Sequence, residues 1–144
     1  MTYRIDMRAA RPATASEVGE LRVTLLAAGF GYRVVRGGDV APRLDNGLVA
    51  IELSNAGAVL TIPYGRPADG DELADAVLGT IGLIREDAGW PAFDPQLERE
   101  LHPETDRAAF LMQFEYSAGV AGHDAPGGGE HPARSPWWRR LTGR

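Results

Sequence analysis

Apolar and polar residues alternate over residues 3–7 (YRIDM), which predicts a first strand. Pro12 breaks the pattern, and TASE follows. Thr14 is placed to cap a helix, and Glu17, three residues on, to close a capping box. Val18, Leu21, Leu25 and Ala28 recur at helical spacing with Leu26 beside them, and Gly29 supplies a stop. A first helix is therefore expected over 15–28.

GYRVVR is a short β-prone run that GGD ends, and APRLDNG reads as a loop with two turn signals. LVAIEL and AVLTIPY read as two strands of a hairpin joined by SNAG, with Asn55 and Gly57 as the positions that tolerate positive φ. A second helix follows. Asp69 caps it with Glu72 at the third position, and Asp71 and Asp75 put negative charge near the positive end of its dipole. Leu73, Val77, Ile81 and Ile84 form its apolar stripe, widened by Ala76 and Ala88, and Gly89 ends it. Gly79 and Gly82 inside that helix each cost up to about 1 kcal/mol against alanine, which points to close packing on a sheet rather than to a hinge.

Residues 90–93 read as a short edge strand, because Pro91 bars a central one. Asp94 and Pro95 start a turn. Phe110, Met112, Phe114 and Tyr116 alternate as in a strand, whereas Phe110, Leu111, Phe114 and Ala118 fit a helix. Glu104 and Asp106 ahead of the run and Gly119 behind it favour a third helix. From Gly119 onward the chain has no periodicity, and GHDAPGGGEHPARSP reads as a linker. No internal repeat is visible. The element order predicts an α+β protein with a ferredoxin-like β-α-β-β-α-β core, an antiparallel sheet, an extra C-terminal helix and a flexible tail. One domain is expected over 1–120, with a Gly/Pro linker and a basic, tryptophan-containing tail over 121–144.

Composition narrows this picture. A chain of 144 residues with 44% hydrophobic content can build one core without staples. The absence of cysteine excludes disulfides, thiolate metal sites and a cysteine nucleophile, and fits a reducing compartment. The start holds no apolar run of signal-peptide length, and no stretch nears the roughly 18 apolar residues of a membrane span. A cytoplasmic location is expected. All 15 basic residues are arginine; with abundant Ala, Gly and Pro this reads as a G+C-rich bacterial codon bias, so each arginine carries less functional weight.

Candidate chemistry is sparse. His123, Asp124, Glu130 and His131 form a loose set of metal-type ligands, but in a stretch with no helix or strand to hold them, and a solvated linker is the better reading. His102 before Pro103 reads as a helix-entry residue. The acids of DGDELAD and REDAG read as an exposed helix face. GFGYRVVRGG has Val34 where a dinucleotide fingerprint needs its third glycine, and a phosphate loop of the Gly-Lys-Ser/Thr type needs a lysine. Ser16, Ser54, Ser117 and Ser135 form no recognisable triad. No cofactor is implied.

Two short motifs, FDPQ at 93–96 and PWWRR at 136–140, resemble those of small uncharacterised bacterial proteins with a (Y/F)-D-P-Q turn and a C-terminal PWW-basic tail. The resemblance implies no activity. For Asp94 and Pro95 a strand-capping turn suffices.

Charge is placed unevenly. Residues 131–144 hold four arginines and no acid, whereas 1–130 hold 11 arginines and all 20 acids. The acidic body disfavours nucleic acid. Trp137, Trp138, Arg139 and Arg140 combine large apolar area with cations that pair or stack, on a flexible leash. These four are the candidate partner-binding residues. The expected function is a non-enzymatic protein-binding module: an adaptor, inhibitor or immunity-type protein. A protein partner ranks first and an anionic membrane surface ranks behind it; docking on the acidic body of the same chain or of a second copy is a further candidate, and a tail with no role is the plain alternative. The alternative is a small-molecule-binding enzyme with a pocket between sheet and helices, built on Arg33, Arg36, Asp45 and Tyr64.

Overall fold

A computed structural model describes residues 2–37, 40–65 and 69–123. The order is β1 (Thr2–Arg8), α1 (Ala15–Ala27), β2 (Arg33–Gly37), β3 (Val40–Asp45), β4 (Ala50–Ser54), β5 (Gly57–Pro63), α2 (Gly70–Ala88), β6 (Ala92–Asp94), β7 (Arg99–Leu101) and α3 (Arg107–His123). The protein is α+β. Its seven strands form one antiparallel sheet in the order β2-β3-β4-β5-β1-β6-β7, so the sheet is wider than the four-stranded ferredoxin-like arrangement expected.

Local signals place α1 and α2. Thr14 accepts from the Glu17 amide at 3.1 Å, and Glu17 accepts from the Thr14 amide at 2.9 Å, closing the capping box. Asp69 caps α2 by accepting from the Asp71 amide, and Gly89 ends it in the left-handed conformation. Alternation sorts the sheet into two faces. Tyr3, Ile5, Met7, Leu44, Ile51, Leu60, Ile62, Ala92 and Leu101 are buried in one core with the stripes of α1 and α2 and with Phe110 of α3. Arg4, Asp6 and Arg8 point the other way, to a face that no described helix covers.

Several expectations change. Residues 40–45 are a strand, not a loop: Leu44 pairs with both Val34 and Ile51 and is buried, so tertiary pairing overrides the proline and the turn residues. Asn55 does not take positive φ, which Gly57 alone adopts in that turn (φ 142°). Asn55 instead pins the segment before α1, donating through Nδ2 to the Ala13 carbonyl and accepting the Ala13 amide on its own carbonyl. β6 is not an edge strand; it lies between β1 and β7, and Pro91 precedes it, so no ladder bond is lost. β7 has no period of its own to betray it. α3 runs through Gly119 to His123, because a glycine weakens a helix by about 1 kcal/mol but stops it only where it turns left-handed.

The two glycines of α2 differ. A β-carbon on Gly79 would sit 2.8 Å from the Phe30 ring, so the close approach is to a side chain of the α1–β2 loop rather than to the sheet. On Gly82 it would meet nothing nearer than Pro103 at 3.9 Å. Gly82→Ala is therefore expected to stabilise the fold by about 0.5–1 kcal/mol. Gly79→Ala loses that gain, because Phe30 is held edge-on against Tyr32 at 6.2 Å. Urea titrations of the two variants check the difference.

Candidate functional site

Among the described residues, the FDPQ turn is a densely hydrogen-bonded polar feature. Asp94 is fully buried, and its Oδ1 accepts the amides of Gln96 (2.9 Å) and Leu97 (3.1 Å) and the Gln96 side chain (3.2 Å). Its Oδ2 accepts the Tyr3 hydroxyl at 2.5 Å. Burial pushes the Asp94 carboxyl above its ordinary 3.8, although all these donors pull it down. Burial and the same carboxylate push the Tyr3 phenol up. Gln96 then lays its side-chain amide beside β1, accepting the Arg4 amide at 3.0 Å and donating to the Arg4 carbonyl at 2.9 Å. It thus extends the β1–β6 ladder past the end of β6. Every polar atom named has a partner inside the fold, so the turn is a clasp. The sequence reading of a strand-capping turn is too small: the turn also ties the segment after β6 to the first strand.

Other buried polar groups are likewise engaged. The hydroxyls of Tyr32 and Thr80 hydrogen-bond at 2.7 Å, and burial holds the Tyr32 phenol up at about 12. Burial also raises Asp106, but the His102 amide (2.7 Å) and the Arg99 guanidinium (3.2 Å) outweigh it and hold that carboxyl below its ordinary value. His102 lies in the turn before α3, as the sequence suggests. Arg107 ties α3 to Asp71 and Asp75 of α2.

The four polar residues of the alternative reading do not converge. Arg33 and Asp45 are cross-strand partners on the uncovered face. Asp45 is turned to the Gly47 amide at 2.7 Å. Arg36 lies at the bulge in the β2–β3 pair. Tyr64 is on the helix face, 5.4 Å from the Phe114 ring, and bonds Ser117.

A concave surface lies elsewhere among the described residues, between α1 and the end of α2. This open groove of about 720 Å³ has Ala13, Gly19, Ala88 and the Trp90 ring among its walls, with exposed Val23 at its side. Its charged residues are Glu17, Glu20 and Asp87, all acids. Glu17 is occupied by the capping box, and the bond from the Thr14 amide holds its carboxyl below the ordinary range. Glu20 and Asp87 are exposed. Reading the helices singly misses this site, because it forms only where α1 meets the end of α2; the acids of REDAG on α2 were its one trace in the sequence.

Trp137, Trp138, Arg139 and Arg140 lie outside the described residues, as do Asp124, Glu130 and His131. Among the described residues no three metal-ligating side chains cluster, and no helix is long and apolar enough to cross a membrane. No protein-family model, curated protein or solved structure matches this chain.

Proposed function

We propose that the protein is a non-enzymatic protein-binding module of the adaptor, inhibitor or immunity type, with a basic protein as its partner. The observation that carries this reading is the groove between α1 and α2, whose rim is acidic and whose wall is partly apolar. A cationic segment bearing an apolar anchor fits such a surface: the acids steer its approach, and the apolar wall holds it. Trp137, Trp138, Arg139 and Arg140 are proposed as a second contact, since indoles and guanidiniums bury apolar area and pair or stack on a partner. We also read the central strands as a ferredoxin-like core. Their order β6-β1-β5-β4, with α2 between β5 and β6, supports this, and β2, β3 and β7 are then additions. The cytoplasm is the compartment in which a cysteine-free module of this kind is proposed to act.

The test is capture from lysate of the source cells. The full chain should retain a basic protein at a one-to-one ratio. Removing residues 132–144 should abolish capture, and the double variant Glu20→Lys/Asp87→Lys should weaken it about tenfold or more, with stronger capture at low salt in the unaltered chain. Equal capture by all three proteins would overturn the proposal.

A further inference from the structure

The face of the sheet opposite the helices carries charge in an order of its own. Cross-strand pairing sets Arg33, Asp45, Ala50, Thr61 and Arg4 in one row from β2 to β1. The next row holds Val35 and Arg43, then Glu52, Val59, Asp6, Phe93 and Glu100. Arg8 follows on β1. The face therefore carries four arginines and four acids, while the chain as a whole carries −5. Repulsion between two copies of an acidic chain is least where the facing surfaces are neutral.

We infer that two copies of this chain pack face to face through this surface, about a two-fold axis that lies across the strands between the Arg4 row and the Asp6 row. That operation lays each row over the other row of the second copy. Arg4 then faces the partner's Asp6, and Asp45 faces the partner's Arg43. By symmetry each pair forms twice. Between them Ala50 and Thr61 lie over the partner's Glu52 and the partner's Val59, and from β2 to β1 no like charges oppose. The other two-fold available to stacked sheets, along β5, sets Glu52 over the partner's Asp6 and is repulsive. In the single chain Arg4 reaches Asp6 on its own strand at 2.7 Å, with Arg4 well exposed; the two-fold shares this pairing between chains. Sheets packed in this way sit about 10 Å apart with strands within about 30° of alignment, which long arginine side chains can span.

Light scattering and sedimentation of the full chain test the inference. The unaltered protein should be a dimer. Arg4→Asp and Asp6→Arg should each weaken the dimer at least about tenfold, since each turns two attractive pairs repulsive. An equimolar mixture of the two variants should restore a dimer of one copy of each, because the altered charges are then complementary. Restoration also shows that both variants fold. A monomeric unaltered chain, a dimer that both substitutions leave intact, or a mixture that fails to associate would each overturn the inference.

Discussion

Gly57→Ala is expected to destabilise the protein by about 4 kcal/mol and to lower its Tm by on the order of 15 °C. Two costs combine. Gly57 has φ 142°, a conformation that side-chain-bearing residues rarely adopt, and such strain costs about 1–3 kcal/mol. A β-carbon there would also lie 1.9 Å from the Met7 carbonyl oxygen and 2.9 Å from the Met7 carbonyl carbon. Both are backbone atoms of β1, which cannot swing aside as a side chain can. β1 and β5 are paired along their whole length, from Thr2 with Pro63 to Arg8 with Gly57, so a shift at one end disturbs the central ladder. Forced overpacking of this kind adds about 1–3 kcal/mol. Against a total stability of about 5–15 kcal/mol the loss is large. Thermal unfolding followed by circular dichroism measures it, and a Tm change within a few degrees would contradict the account.

Asp94→Ala should cost about as much, about 4 kcal/mol, for a different reason. It strands the buried Tyr3 hydroxyl and the half-buried amides of Gln96 and Leu97 together, and a buried donor left without an acceptor costs about 1–3 kcal/mol, a half-buried one toward the lower end. Asp94→Asn keeps one acceptor oxygen for the two amides and should cost less. It also removes a titration. The folded-state pKa of Asp94 lies above its ordinary value, so the stability this group contributes is fully present below the unfolded pKa and is lost as pH rises through the folded one. Asp106 has the opposite sign: held low, its contribution is present above the unfolded pKa and is lost as pH falls through the folded one. From about pH 4.5 to 7 Asp106 and Glu17, both held low, add slope of the opposite sign, and Asp94→Asn leaves those contributions in place, so the difference between the two profiles isolates Asp94. Urea midpoints taken across that range should fall with pH in the unaltered chain more than in Asp94→Asn. Parallel profiles would show that Asp94 is ionised throughout.

Legibility in the sequence follows the range of the interaction. The capping box of α1, the Asp69 cap and apolar stripe of α2 and the left-handed stop at Gly89 depend on neighbours within about four residues, and they stand where the sequence placed them. The alternation of β1 sorted its side chains correctly, because a strand gives each residue one of two faces. The third helix was ambiguous in pattern, since its apolar residues fit both periods; docking of Phe110 and Phe114 against Tyr3 decided it. The acidic groove was the least legible, because Glu20 of α1 and Asp87 of α2 are 67 residues apart and only folding brings them together.

The sequence by itself determined the two capped helices, the buried face of the first strand and the β4–β5 hairpin. Tertiary structure alone decided the seven-strand order, the strand character of 40–45, the central place of β6 and the meaning of FDPQ. The physical reason is distance along the chain. Tyr3 meets Asp94 across 91 residues and Arg4 meets Gln96 across 92, so three-residue strands such as β6 and β7 draw their stability from partners that no local window contains.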